Sequence, residues 1–205
     1  KDEKGLGTTI DVIIYDGTIS KNDFVAFGTQ EGAKVVKIRG LLRPAMAGES
    51  AGSSKYVYID QIHAAAGVKI YAPGIENALA GSPLIVVSSK TPSKTIELEI
   101  SRQVSQILVH DANLAGVVVK TDTLGSAEAF SRLLRIASVP VREIGIGPVV
   151  KKDIISAHTS SLENKYVGAV LAFNVPVNAD ALEESIKCQI PIISSKVIYT
   201  ILDDF

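Results

Sequence analysis

Near Pro92 the hydrophobic pattern of this chain changes from short β-branched runs separated by turn residues to apolar runs that alternate with amphipathic ones. The first pattern builds all-β structure, and the second builds parallel α/β units. One core cannot serve both layouts, and 205 residues are enough for two modest cores.

Residues 8–14 are rich in Thr, Ile and Val, and Asp16-Gly17 follows as a turn signal before Thr18 and Ile19, which reads as a hairpin. Further short strands are expected at 24–27, 34–39, 56–59, 68–71 and 84–87, with Gly, Asn, Asp or Pro in most gaps. So many short strands predict a closed β-barrel over residues 1–92. Residues 45–54 hold Ala, Gly and Ser with almost no core formers, and are read as a loop that is either a surface insertion or a binding loop.

Ile100, Val104, Ile107 and Leu108 recur at helical spacing and predict a linker helix within 93–113. Beyond it, strand-like runs at 116–120, 139–146, 166–175 and 190–193 alternate with helical ones at 127–137, 153–158, 179–188 and 197–205. Strands apolar on both faces and joined by helices imply a four-stranded parallel sheet covered on both sides, an α/β/α sandwich over 114–205. In the last helix Val197, Ile198, Ile201, Leu202 and Phe205 form one stripe for docking on the sheet, with Ser194 or Ser195 able to cap its start.

No apolar run approaches the ~20 residues of a membrane span, so a soluble protein without a membrane partner is expected. The formal net charge of −1 supplies no global field for nucleic acid, and any RNA contact needs a local basic patch. Cys188 is the only cysteine, which excludes an internal disulfide framework and fits a reducing, cytoplasmic setting. The start Lys1-Asp2-Glu3-Lys4 lacks a signal-peptide core, and both ends read as cut from a longer protein.

Catalytic signatures are missing. No Gly-x-x-x-x-Gly-Lys-Ser/Thr occurs, so intrinsic nucleotide hydrolysis is not expected. Gly145-Ile146-Gly147 runs into Pro148 without a third glycine, which favours a turn over a dinucleotide site. His63, His110 and His158 have no partner at helical metal-pair spacing, and Cys188 has neither a CxxC partner nor a nearby His, so no metal site is expected. No Gly-x-Ser-x-Gly elbow is present, and Glu183 and Glu184 read as a solvated helix face.

Two constellations remain. Lys120-Thr121-Asp122-Thr123-Leu124-Gly125-Ser126 joins the carboxyl end of a strand to a helix start, where turns can hold anions. Thr123 or Ser126 is expected to cap that helix and Gly125 to supply a tight turn of positive φ, with Asp122, Gly125 and Ser126 as interdomain or relay candidates. Lys37, Arg39 and Arg43, with Lys34, form a modest basic cluster in which strand alternation places Lys37 and Arg39 on one face. A solvated sheet face and an RNA-backbone contact both fit that cluster.

Several phrases resemble the translation initiation GTPases comprising bacterial initiation factor 2 and archaeal and eukaryotic initiation factor 5B. They are Lys4-Gly5-Leu6-Gly7-Thr8-Thr9-Ile10-Asp11-Val12-Ile13 with Asp16-Gly17-Thr18, and Val119-Lys120-Thr121-Asp122-Thr123-Leu124-Gly125-Ser126-Ala127-Glu128-Ala129. Ile144-Gly145-Ile146-Gly147-Pro148-Val149 with Lys152-Asp153, and Ala172-Phe173-Asn174-Val175 with Val197-Ile198-Tyr199, follow in order. The resemblance implies an elongation-factor-like barrel as domain two and the sandwich as domain three, in the eukaryotic or archaeal branch. It further implies a non-catalytic middle segment of a factor that promotes ribosomal subunit joining. Domain two would touch small-subunit ribosomal RNA, and domain three would relay nucleotide state to a C-terminal tRNA-binding domain.

GTP and magnesium are then expected only in the full-length factor, on its own GTPase domain. The family's insertion between barrel strands is commonly more basic, whereas residues 45–54 carry only Glu49 as a charge, which leaves Lys37, Arg39 and Arg43 as the rRNA-contact candidates. The alternatives are an equivalent module of another translational GTPase, or a small flavodoxin-like domain binding a ligand at the strand ends.

Overall fold

The computed structural model describes residues 2–3, 7–45, 55–88, 94–108, 111 and 115–205. Residues 46–54 of the expected loop and His110 lie outside these described residues. The chain divides into two compact units, Lys1–Ala78 with Ser82–Ser101, and Leu79–Gly81 with Arg102–Phe205.

The first unit is β-rich. Its strands are β1 (Asp2–Glu3), β2 (Gly7–Ile14), β3 (Thr18–Ser20), β4 (Phe24–Thr29), β5 (Gly32–Lys37), β6 (Gly40–Pro44), β7 (Tyr56–Ile59), β8 (Gln61–His63), β9 (Ala66–Tyr71) and β10 (Leu84–Val87). They form a five-stranded sheet in the order β1-β2-β9-β6-β7, a three-stranded sheet β10-β4-β5, and the pair β3-β8. Alternate residues face inward, so Val25, Phe27, Ile38, Leu41, Val68 and Ile70 share one core.

The expected hairpin between residues 8–14 and 18–19 does not form. β2 pairs instead with β9, and β3 pairs with β8 through Thr18↔His63. Gly17 does take the left-handed conformation at φ 75°, but the register with β9 is what places Ile10, Val12 and Ile14 against the core. The expected strand 34–39 ends early. Ile38 still donates to Asp23 O at 2.9 Å, whereas Arg39 donates to Tyr71 O at 2.9 Å, so the chain changes partner between these two residues.

A helix α1 (Lys94–Ile107) follows. Ile96 and Ile100 pack in the first unit with Ala26 and Val87, and Val104 packs in the second with Leu79 and Leu124.

The second unit alternates β11 (Val117–Thr121), α2 (Leu124–Ile136), β12 (Val141–Ile146), α3 (Lys151–Glu163), β13 (Val170–Phe173), α4 (Ala179–Cys188), β14 (Ile192–Ser195) and α5 (Ile198–Asp204). The four strands are parallel in the order β12-β11-β13-β14. Val117, Val119 and Leu171 face Phe130 and Leu134 of α2 and Ile201 of α5. Val118, Val170 and Ala172 face Ile154 and Ala157 of α3 and Ala181 of α4. Both faces are therefore covered by helices, which is why β11 is buried throughout.

The strand expected at 166–175 is shorter, because Lys165–Val167 form a 3-10 turn in which Asn164 Oδ1 accepts the Tyr166 N–H at 3.1 Å. Of the α5 stripe, Ile201 is fully buried and Ile198 and Leu202 pack beside it, but Val197 and Phe205 are exposed. Ser195 Oγ accepts the Val197 N–H at 3.0 Å, one residue ahead of the helix, and the N-cap position itself is Val197.

Candidate functional site

The sheet order makes β11 and β13 neighbours whose helices leave toward opposite faces, which defines a topological switch point at their carboxyl ends. The residues immediately beyond these ends are Asp122 and Asn174. Asn174 sits at φ 52°, a left-handed conformation that Asn tolerates well. From there its Nδ2 donates to Asp122 Oδ2 at 2.6 Å. Asn174 was not among the residues singled out by chemistry in the sequence. Its one visible signal is an Asn directly after an apolar strand.

The α2 start closes the same corner. Thr123 is the N-cap in extended backbone, and its Oγ1 accepts the Ser126 N–H at 3.2 Å. Thr121 Oγ1 donates to Thr123 O at 3.1 Å, and the Leu124 N–H donates to Ala80 O at 2.9 Å. Burial pushes the Asp122 pKa up, but hydrogen bonds from Ser126, Asn174, its own backbone N–H and Thr123 outweigh this and hold it below the ordinary Asp value.

The turn therefore works against anions. The Leu124 and Ser126 amides have partners within the protein, and the Asp122 carboxylate supplies the negative charge that the helix end favours. A phosphate group does not fit a corner already holding that charge. Gly125 also departs from expectation. It is the second residue of α2, exposed, outside the positive-φ set, and a Cβ built there meets nothing within 4 Å. The turn before α2 is made by capping and needs no left-handed residue at Gly125. The structure thus sets Asp122, bonded to Asn174, beside the Thr123–Ser126 cap and leaves Gly125 on the helix surface.

On the opposite face lies a buried ion pair. Lys120 Nζ stands 3.4 Å from Asp153 Oδ2, and the same oxygen accepts the Val150 N–H at 2.8 Å at the start of α3. Glu184, expected on a solvated face, is half-buried and holds Lys151 at 2.8 Å, and the hydrogen bond from Lys151 lowers its pKa. Glu183 is exposed. Cys188 is partly buried, with Sγ 3.7 Å from Glu184 Oε1. Among the described residues no group of three His, Cys, Asp or Glu side chains could hold a metal ion.

In the first unit, Lys37 and Arg39 are exposed and Arg43 is half-buried. Lys37 ends β5 on the sheet face of Ala33 and Val35, with its ammonium 5.8 Å from the Phe24 ring centroid. Arg39 lies beyond the point where the chain changes partner, and Arg43 is on β6 with Nη1 donating to Pro44 O at 3.2 Å. Lys37 and Arg39 therefore do not share one strand, as simple alternation supposed.

The comparisons with known proteins agree across the chain. The family described as translation-initiation factor 2 (IF-2) matches residues 85–205. The probable translation initiation factor IF-2 of Ignicoccus hospitalis is 42% identical over all of this chain, and that of Pyrococcus horikoshii 41%. The chain spans 34% of the first of these relatives and 20% of the second. The crystal structure of GDP-bound aIF5B from Aeropyrum pernix superposes with a TM-score of 0.81 at 38% identity, over all of this chain and 34% of that one. With more than half of its residues inside the family match and its whole length aligned to archaeal factors, the chain belongs to the translation-initiation factor 2 family.

Proposed function

We propose that this chain is the non-catalytic middle segment of an initiation GTPase that promotes joining of the ribosomal subunits. The observation that carries this reading is the alignment of the whole chain, both units included, with archaeal initiation factors at about 40% identity. In this reading the β-rich unit is a closed, elongation-factor-like barrel that touches small-subunit ribosomal RNA through Lys37, Arg39 and Arg43. The α/β unit passes nucleotide state onward, with the Asp122–Asn174 corner fixing the ends of its two central strands. In this reading GTP and magnesium belong to residues outside this stretch, which holds no Gly-x-x-x-x-Gly-Lys-Ser/Thr and carries the Asp122 carboxylate at the turn into α2. The setting is the cytoplasm, where translation proceeds. No helix among the described residues is long and apolar enough to cross a membrane.

A chimaera tests the reading. Replacing the aligned stretch of an archaeal factor by this chain should preserve GTP-dependent subunit joining, followed by light scattering. A stable chimaera that binds GTP but joins no subunits would contradict it. The chain alone should show no magnesium-dependent GTP binding at micromolar concentration, and saturable binding there would contradict its non-catalytic assignment.

A further inference from the structure

We infer that the carboxyl end of the four-stranded sheet is closed by a ring of hydrogen bonds that makes the β11–α2, β12–α3 and β13–α4 connections open as one, with the Asp122–Asn174 pair as its latch. The ring can be followed bond by bond. Gly147, just past the end of β12, donates its N–H to Thr121 O of β11 at 2.9 Å. Two residues on, Val149 donates to Pro176 O at 3.0 Å and accepts the Asn178 N–H at 3.0 Å, in a parallel bridge with Val177. Two residues before Pro176, Asn174 reaches back to Asp122 at 2.6 Å, and Asp122 adjoins Thr121, which completes the circuit. The Asn174 N–H also donates to Ser195 O at 3.0 Å, so the end of β14 is tied to the same ring.

A single hydrogen bond near solvent adds little, because water replaces either partner. In a closed circuit no member can part without displacing its neighbours, so the connections form one opening unit. The latch is the one link of this circuit made by side chains, and Asn174 reaches it from a left-handed backbone at φ 52°. It also spans the two helical layers. Asp122 leads into α2, which covers one face of the sheet with α5, and Asn174 leads into α4, which covers the other with α3. With the latch closed the starts of α2, α3 and α4 keep one relation, and a displacement of any of them is passed to the rest. The use of that property in a relay rests on the reading above, whereas the cooperativity of the ring does not.

Hydrogen exchange of the whole chain, followed by NMR over a series of low urea concentrations, tests the ring. The Gly147, Val149 and Asn178 amides should share one opening free energy and one urea slope. That slope should be smaller than the slope of the Val118 and Val170 amides, which donate to Ala169 O and Pro191 O in the two central strands. Asn174→Gly keeps the left-handed backbone without strain and removes the latch. It should speed exchange at all three amides by a common factor of about ten, the scale of one hydrogen bond to a charged group. Separate slopes for the three amides, a slope equal to that of the central strands, or no acceleration at the three amides would each overturn the inference. Exchange is read on the chain alone, so failure of the ring and failure of the subunit-joining reading are separate results.

Discussion

Two glycines in the second unit respond oppositely to the same change. Gly125 lies in the first turn of α2 with open space around a Cβ. Gly125→Ala should raise stability by about 0.5 kcal/mol, since it restricts the unfolded chain without strain. A Cβ on Gly116 would stand 2.7 Å from Pro140 O and 2.7 Å from the Arg142 backbone nitrogen. Gly116→Ala should therefore lower stability by about 2 kcal/mol, in the range of other overpacking changes. Urea denaturation checks both, and equal signs would contradict this placement of the two backbones. Asp122 carries a pH dependence. Its folded pKa is depressed, so its contribution is present above the unfolded value near ~4 and is lost as pH falls through the folded value. Asp122→Asn should flatten the loss of urea stability below roughly pH 4, and an acid profile identical to the parent's would contradict the hydrogen-bonded corner. The corner was half legible in the sequence. Asp122, Thr123 and Ser126 stand together in one strand-to-helix phrase, whereas Asn174 is distant in sequence and joins them only because β11 and β13 are neighbours.

Among the elements, α3 shows how one buried charge can fix a helix start. Asp153 both caps the Val150 N–H and faces Lys120, with side chains 3% and 11% exposed. Asp153→Ala removes the cap and strands a buried ammonium, and should cost about 3–5 kcal/mol. Lys120→Met leaves Asp153 its backbone donor and should cost less, with the ordering read from denaturation midpoints. The reverse ordering would contradict the double role of Asp153. Sequence periodicity located the elements of this unit well because its central strands β11 and β13 are apolar and buried on both faces, while the helices bury one stripe each. The α4 bounds, residues 179–188, agree with the polar helix read from the sequence. Periodicity failed where tertiary pairing outweighs local signals. Asp16-Gly17 looks like a hairpin turn, yet the long register of β2 with β9 separates β2 from β3. Similarly, an apolar run cannot reveal that Tyr166 is 77% exposed in a 3-10 turn before β13 begins.

At the scale of the molecule, the change of pattern near Pro92 corresponds to a β-rich layout followed by a parallel one, and α1 supplies apolar residues to the cores of both units. Lys37 and Arg43 lie on different sheets with Arg39 in the link between β5 and β6, and the formal net charge is −1, so attraction to RNA rests on few contacts. The most direct test of the ribosomal assignment is equilibrium binding of the labelled chain to purified archaeal small ribosomal subunits over a series of salt concentrations. Three phosphate contacts predict a slope of log affinity against log salt of about −2 to −3, with binding largely abolished when Lys37, Arg39 and Arg43 are all changed to Ala. No detectable binding at low salt, or binding unchanged in the triple variant, would contradict the account.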